Sequence, residues 1–156
     1  MGVAGSGKTT IGRALAASLG WSFRDADDFH PPANITKMGA GRPLDDADRA
    51  PWLAAIRAQI DGLLAHHQDG VVTCSALKES YRTLLGVDPA RVKLVHLTGD
   101  PALLAARLAS RRDHFMGPGM LASQLAALEP PHDALTVDIA APPAIIVSQI
   151  RRALSL

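Results

Sequence analysis

The sequence has little of several things, and each shortage excludes a class of protein. There is one cysteine, Cys74, so no intrachain disulfide forms and a disulfide-stapled secreted scaffold is excluded. The lone thiol fits a reducing compartment, and the expected location is cytoplasmic. Charge of one sign is not in excess: 16 Lys and Arg stand against 15 Asp and Glu, a formal charge of +1. A net basic field that would recruit nucleic acid or an anionic membrane is therefore missing, and neither is expected as a partner. Hydrophobic runs are short of the ~20 residues a membrane span needs. Glycines and Lys8 interrupt the N-terminus straight after Met1, so no signal peptide is legible there. Internal repeats and low-complexity tails are also missing. What is there is a 156-residue chain, 47% hydrophobic and 20% charged. That composition suits one domain, residues 1–156, around one core.

Thirteen glycines and eleven prolines punctuate the chain at fairly even intervals. Helices are predicted over residues 9–19, 47–67, 78–85, 101–112, 121–128 and 143–154 from apolar residues at helical spacing and from their stop signals. Strands are predicted over residues 21–24, 70–74, 92–97 and 135–139. Residues 25–51 are polar and rich in Pro and Gly, with only brief helical possibilities, and read as a long irregular stretch of the kind that carries function. Alternation of strand and helix predicts an α/β fold of three layers, a parallel sheet with helices on both faces.

Gly2-Val3-Ala4-Gly5-Ser6-Gly7-Lys8-Thr9 fits G-x-x-x-x-G-K-[ST] at every fixed position. Glycines let backbone N–H groups turn inward around phosphate oxygens, and the helix that follows adds its N-terminal partial charge. Gly2, Gly5, Ser6, Gly7, Lys8, Thr9 and Thr10 are expected to hold ATP. Lys8 would reach the β- and γ-phosphates, and the Thr9 hydroxyl would bind Mg²⁺. A phosphate loop normally follows a strand, yet only Met1 precedes Gly2. Either the start is misplaced or truncated, or this P-loop NTPase fold does without its usual first strand; the expectation is that the functional protein begins several residues earlier.

Phosphoryl transfer to an alcohol needs a group that takes the hydroxyl proton, and a carboxylate serves. Asp27, just past the short strand, is the candidate; Asp25 is a second Mg²⁺ candidate. Lys37 and Arg49 are candidate binders of an anionic or polyhydroxy acceptor, Lys78 lies at the C-terminal end of a strand, and Asp45 or Asp46 caps the next helix. Cys74 reads as packing, and the remaining histidines show no metal-ligand spacing. Arg107 and Arg111 are four residues apart on one helix face, a spacing suited to clamping phosphates. His114, Phe115 and the glycines after them suit a lid, placed at about residues 111–127.

Asp27, His30-Pro31, Asn34, Lys37-Met38, Gly41, Pro43-Leu44-Asp45, Asp48-Arg49 and Pro51-Trp52-Leu53 together resemble the gluconokinase family of small P-loop kinases, relatives of shikimate and adenylate kinases. Cys74-Ser75-Ala76-Leu77-Lys78, Gly99-Asp100, Arg107-Leu108, Arg111 and Leu128-Glu129-Pro130-Pro131 extend the resemblance over nearly the whole chain. Ala26 stands where the family often has glycine. The resemblance implies ATP-dependent, Mg²⁺-assisted phosphorylation of D-gluconate to 6-phospho-D-gluconate by a homodimer. It implies that Asp27, His30, Lys37, Arg49, Ser75 and Lys78 face gluconate, and that Lys8, Asp27, Arg107 and Arg111 are catalytic. Two other readings compete: a kinase of another small acceptor such as shikimate or a nucleoside monophosphate, and an inactive truncated nucleotide-binding module. A GTPase-type switch would want Asn-Lys-x-Asp, which does not occur.

Overall fold

The structure, a computed structural model, describes residues 1–110 and 119–156. Along the chain run α1 (Lys8–Leu19), β1 (Ser22–Asp25), a 3-10 turn (Ala26–Phe29), α2 (Pro32–Gly39), α3 (Asp46–Ala65), β2 (Gly70–Thr73) and α4 (Glu79–Leu84). Then follow β3 (Val95–Thr98), α5 (Pro101–Ala109), α6 (Gly119–Ala127), β4 (Leu135–Asp138) and α7 (Pro143–Leu154). Local signals account for the boundaries. α1 stops at Gly20, which takes a left-handed φ of 68°. α3 starts at a reciprocal capping box: the Asp48 N–H donates to Asp45 Oδ1 at 2.8 Å, and the Asp45 N–H donates to Asp48 Oδ2 at 2.9 Å. Asp45, not Asp46, is therefore the cap.

The stretch predicted as irregular, residues 25–51, is mostly ordered into short helices. Pro31 and Pro32 pre-set the backbone at the start of α2, and buried Asn34 and Met38 tie that helix down. β3 is shorter than predicted at its start, because Val92 makes an isolated antiparallel bridge with Asp88 instead. The helix predicted over residues 101–112 is α5 up to Ala109, and its end falls partly outside the described residues. The same holds for the lid placed at residues 111–127, of which 119–127 is α6.

β1 pairs with β2 and β3 with β4, both in parallel. The first residues of the chain span the gap between the pairs. The Met1 amine donates to the Val95 carbonyl at 2.5 Å, the Leu97 N–H donates to the Met1 carbonyl at 2.9 Å, and the Gly2 N–H donates to the Ser75 carbonyl at 3.3 Å. Helices cover both faces. On one side Ile11 and Leu15 of α1 and Ile146 and Ile150 of α7 bury against Leu97 and Val137. On the other, Trp52, Leu53 and Ile56 of α3 bury with Ala26, Tyr81 and Leu85. Three layers with parallel strands in the middle are the architecture the alternation predicts. No helix among the described residues is long and apolar enough to cross a membrane.

Candidate active site

The loop from Gly2 to Thr9 is shaped by backbone that only glycine tolerates. Gly2 has φ +145°, and a Cβ there would stand 2.5 Å from the Leu97 carbonyl oxygen. Gly5 has φ +82°, and a Cβ there would stand 2.8 Å from the Leu104 carbonyl oxygen. The loop can thus lie close against β3 and α5 only without side chains at these points. It feeds α1, which starts with no side-chain cap and no acid in its first turn. Its first amides and its partial positive charge are accordingly directed at whatever the loop encloses. Lys8 Nζ donates to the Val3 carbonyl at 3.1 Å, across the loop.

Thr9 and Asp25, assigned to one metal ion from sequence, meet. Thr9 Oγ1 donates to Asp25 Oδ2 at 2.7 Å, while Asp25 Oδ1 accepts the Asp27 N–H at 3.3 Å. A hydroxyl and a carboxylate side by side are hard oxygen donors of the kind Mg²⁺ takes. Together with the glycine-shaped cradle they fit a magnesium-bound triphosphate.

Asp27 sits in the 3-10 turn that follows β1, at the C-terminal end of a parallel strand, where ligands of such sheets bind. Trp52 holds this turn: its indole Nε1 donates to the Ala26 carbonyl at 2.7 Å, and His30 stacks on its ring at 4.5 Å. Burial holds the His30 pKa below the usual histidine value, with the Asp27 charge opposing and the Arg49 charge adding to the effect. His30 is therefore a neutral imidazole near pH 7, within the field of the Asp27 carboxylate and the Arg49 guanidinium. Cys74 lies within the field of both Lys8 and Asp27, but burial pushes its thiol up to about 11. It is inert packing, as predicted.

The predicted acceptor-binding cations are each paired with an acid from the start of α3. Lys37 bonds Asp48 and lies 3.4 Å from Asp45. The Asp48 hydrogen bond is the main cause that raises the Lys37 pKa and lowers that of Asp48. Lys78 Nζ lies 2.9 Å from both oxygens of Asp46, Arg49 Nη1 is 3.6 Å from the same carboxylate, and the Tyr81 hydroxyl donates to it. Hydrogen bonds from Tyr81, then from Lys78, keep the Asp46 pKa below the carboxylate range. Asp46, Asp48 and Tyr81 were not singled out as site residues from sequence. The capping pattern draws attention to the acids, and Tyr81-Arg82 belongs to the block that resembles the family, but no local pattern gives Tyr81 a role. Ser75 contributes its carbonyl to Gly2, so it anchors the loop through backbone.

Arg107 lies beside the glycine loop. Its Nη2 donates to the Ile139 carbonyl at 2.9 Å, and its Nη1 lies 3.9 Å from where a Cβ on Gly7 would be. Gly5, Gly7, Thr10, Arg107, Ser110 and Pro143 line a cavity of about 270 Å³ there. Arg111, His114 and Phe115 lie outside the described residues. Sequence reasoning also missed Gln124 of α6, whose side-chain Oε1 accepts the Ala4 N–H of the loop at 2.6 Å.

Comparison with known proteins gives this geometry a family. The chain is 49% identical to the gluconokinase of Gluconobacter oxydans, over 85% of this chain and 75% of that one. The thermosensitive gluconokinase of Escherichia coli is 41% identical, over 98% and 84%. The chain belongs to the gluconokinase family. A crystal structure of a gluconokinase from Sinorhizobium meliloti superposes with a TM-score of 0.87 at 44% identity, covering 99% of this chain and 89% of that one. A sugar kinase from Janibacter superposes with a TM-score of 0.90 at 39% identity, covering 99% and 91%. The shikimate kinase family model matches residues 4–129. The shikimate kinase of Aquifex aeolicus, at 17% identity and a TM-score of 0.59 over 99% and 93% of the two chains, shares the fold. This gluconokinase-family chain is thus an α/β kinase of the P-loop class.

Proposed function

We propose that the chain transfers the terminal phosphoryl group of ATP to the terminal hydroxyl of D-gluconate, giving ADP and 6-phospho-D-gluconate. The observation that carries this reading is one continuous arrangement. A glycine-shaped phosphate cradle adjoins the Thr9–Asp25 pair, Asp27 follows in the next turn, and cations on α2, α3 and α4 lie beyond. Membership of the gluconokinase family supports the choice of acceptor.

Loop amides and Lys8 hold the phosphates, and Arg107, with Arg111, stabilises charge on the transferring group. Thr9 and Asp25 would hold Mg²⁺, which supplies charge neutralisation on the phosphate oxygens. Asp27 orients the acceptor hydroxyl and takes its proton as the oxygen bonds to the γ-phosphorus. The bond from that phosphorus to the bridging oxygen breaks, and its electrons leave with ADP. Lys37, Arg49 and Lys78 hold the acceptor carboxylate and hydroxyls, with the Asp45, Asp46 and Asp48 carboxylates setting their positions. Neutral His30 is suited to exchange a hydrogen bond with an acceptor hydroxyl without adding charge. The protein acts as a homodimer in the cytoplasm in this reading; light scattering on the purified protein tests the dimer.

A coupled assay of ADP release tests the reaction. Turnover with D-gluconate, and none with shikimate or nucleoside monophosphates, is expected. Turnover confined to shikimate or a nucleotide would replace the acceptor assignment.

A further inference from the structure

The turn that joins β2 to α4, residues 74–78, carries Ser75 and Lys78 and holds an uncommon backbone. Ala76 takes a left-handed φ of 46° and is buried. A non-glycine residue keeps that conformation only where its surroundings fix it, and such positions cluster at functional sites. Here the fixing group is Arg82. Its guanidinium, on a residue 3% exposed, donates from Nη1 to the Ala76 carbonyl at 3.0 Å and to the Leu77 carbonyl at 3.1 Å. The turn meets the phosphate loop, because the Gly2 N–H donates to the Ser75 carbonyl. It also meets the segment after α6. The Glu129 N–H donates to the Leu77 carbonyl at 2.9 Å, and the Glu129 carboxylate accepts the Glu79 N–H. That last bond caps α4 from outside. Lys78, at the cap position, makes no side-chain cap bond, and its ammonium is left to reach Asp46. Five residues before Glu129, Gln124 accepts the Ala4 N–H of the phosphate loop. Leu121 of α6 and Leu77 of the turn are buried in the same core cluster.

These bonds close a circuit. It runs from the phosphate loop to Gln124, along the chain to Glu129, across to the turn at Leu77 and Glu79, and through Ser75 back to Gly2. We propose that Gln124 and Glu129 are positioning residues for the transfer reaction. Gln124 sets the phosphate loop, Glu129 sets the turn that presents Lys78 to the acceptor, and the short segment between them fixes the spacing of the two. Neither touches the reacting atoms. The acceptor half rests on the gluconate reading given above; the nucleotide half does not. Transfer tolerates little error in the separation of acceptor oxygen and γ-phosphorus, and a misplacement of about 1 Å costs on the order of 100-fold. Each side chain supplies one oxygen to one backbone N–H, so removing it leaves that donor unpaired in the loop or turn it held. Residues 121–127, expected from sequence to be part of a lid, belong in this reading to the fixed frame.

Substitutions at the two ends of the segment test this. Gln124→Met should weaken Mg²⁺·ATP binding about 10-fold by calorimetry without acceptor, and leave KM for gluconate within about twofold. Glu129→Ala should do the reverse: KM for gluconate rises about 10-fold, and Mg²⁺·ATP binds as before. Glu129→Gln keeps an oxygen for the Glu79 N–H and should restore most of the lost affinity. The double variant should lower kcat by less than the product of the two single losses, since either change opens the same circuit. Variants that melt earlier but keep wild-type ATP affinity and gluconate KM overturn the proposal. So does a Glu129→Gln protein as impaired as Glu129→Ala, and so do kcat losses that simply multiply. If the unmodified chain does not turn over gluconate, the acceptor assignment falls by itself; the ATP-binding arm needs no acceptor and still decides for Gln124.

Discussion

Asp46 and Asp48 stand two residues apart, yet they hold different groups of side chains. Asp48 holds Lys37 across from α2, and Asp46 gathers Lys78, Tyr81 and Arg49. The hydrogen bond that raises Lys37 also lowers Asp48, so this pair stays ionised across the neutral range. Substituting Lys37→Met should raise KM for gluconate about 10- to 100-fold, the scale of a lost hydrogen bond to a charged group, with a smaller effect on kcat. Asp27→Asn should cost about 10²- to 10⁴-fold in kcat while the protein still binds ATP by calorimetry; unchanged kcat would remove the general-base role. Lys8→Ala should lose turnover on a similar scale with an unchanged far-ultraviolet circular dichroism spectrum. At this scale the sequence was informative wherever spacing carries chemistry. Lys8, Thr9, Asp25 and Asp27 are close in sequence or follow a fixed pattern. The role of Tyr81 was hidden because its partner Asp46 is 35 positions away on another helix, a distance no local pattern spans.

Elements were legible where apolar periodicity or caps are strong. α1, α3 and α7 fall within a residue or two of their predicted ranges, because each buries one face and each has a clear stop or start. The 3-10 turn and α2 were not, because prolines and acids there look like loop chemistry. Their order comes from tertiary contacts: the Trp52 indole on Ala26, and buried Asn34 donating its side-chain amide to the Asp48 carbonyl at 2.8 Å. Two expectations follow. Asp45→Ala removes the cap of α3 and should cost about 1 kcal/mol in chemical denaturation, within the range measured for such caps. Trp52→Ala empties a buried site and lets go of the turn that carries Asp27. It should cost about 3–5 kcal/mol by the same measurement and lower kcat as well.

Across the whole molecule, acid should loosen the fold. His30 and His96 are both held below the usual histidine value of 6.5, chiefly by burial. The unfolded chain then binds protons that the native state refuses. Their contribution is complete above pH 6.5 and is lost as pH falls through the native values. Melting temperature should therefore drop from pH 7 toward pH 5, and His30→Gln should flatten part of that slope. The fold class was readable from alternation alone, whereas the division of the strands into two pairs depends on hydrogen bonds that only coordinates give. The most direct measurement is ADP release with Mg²⁺, ATP and D-gluconate, made on this chain and on its Asp27→Asn variant. Gluconate-dependent turnover that vanishes in Asp27→Asn is the predicted result. A folded, Mg²⁺·ATP-binding protein that releases no ADP when gluconate is added would contradict the assignment.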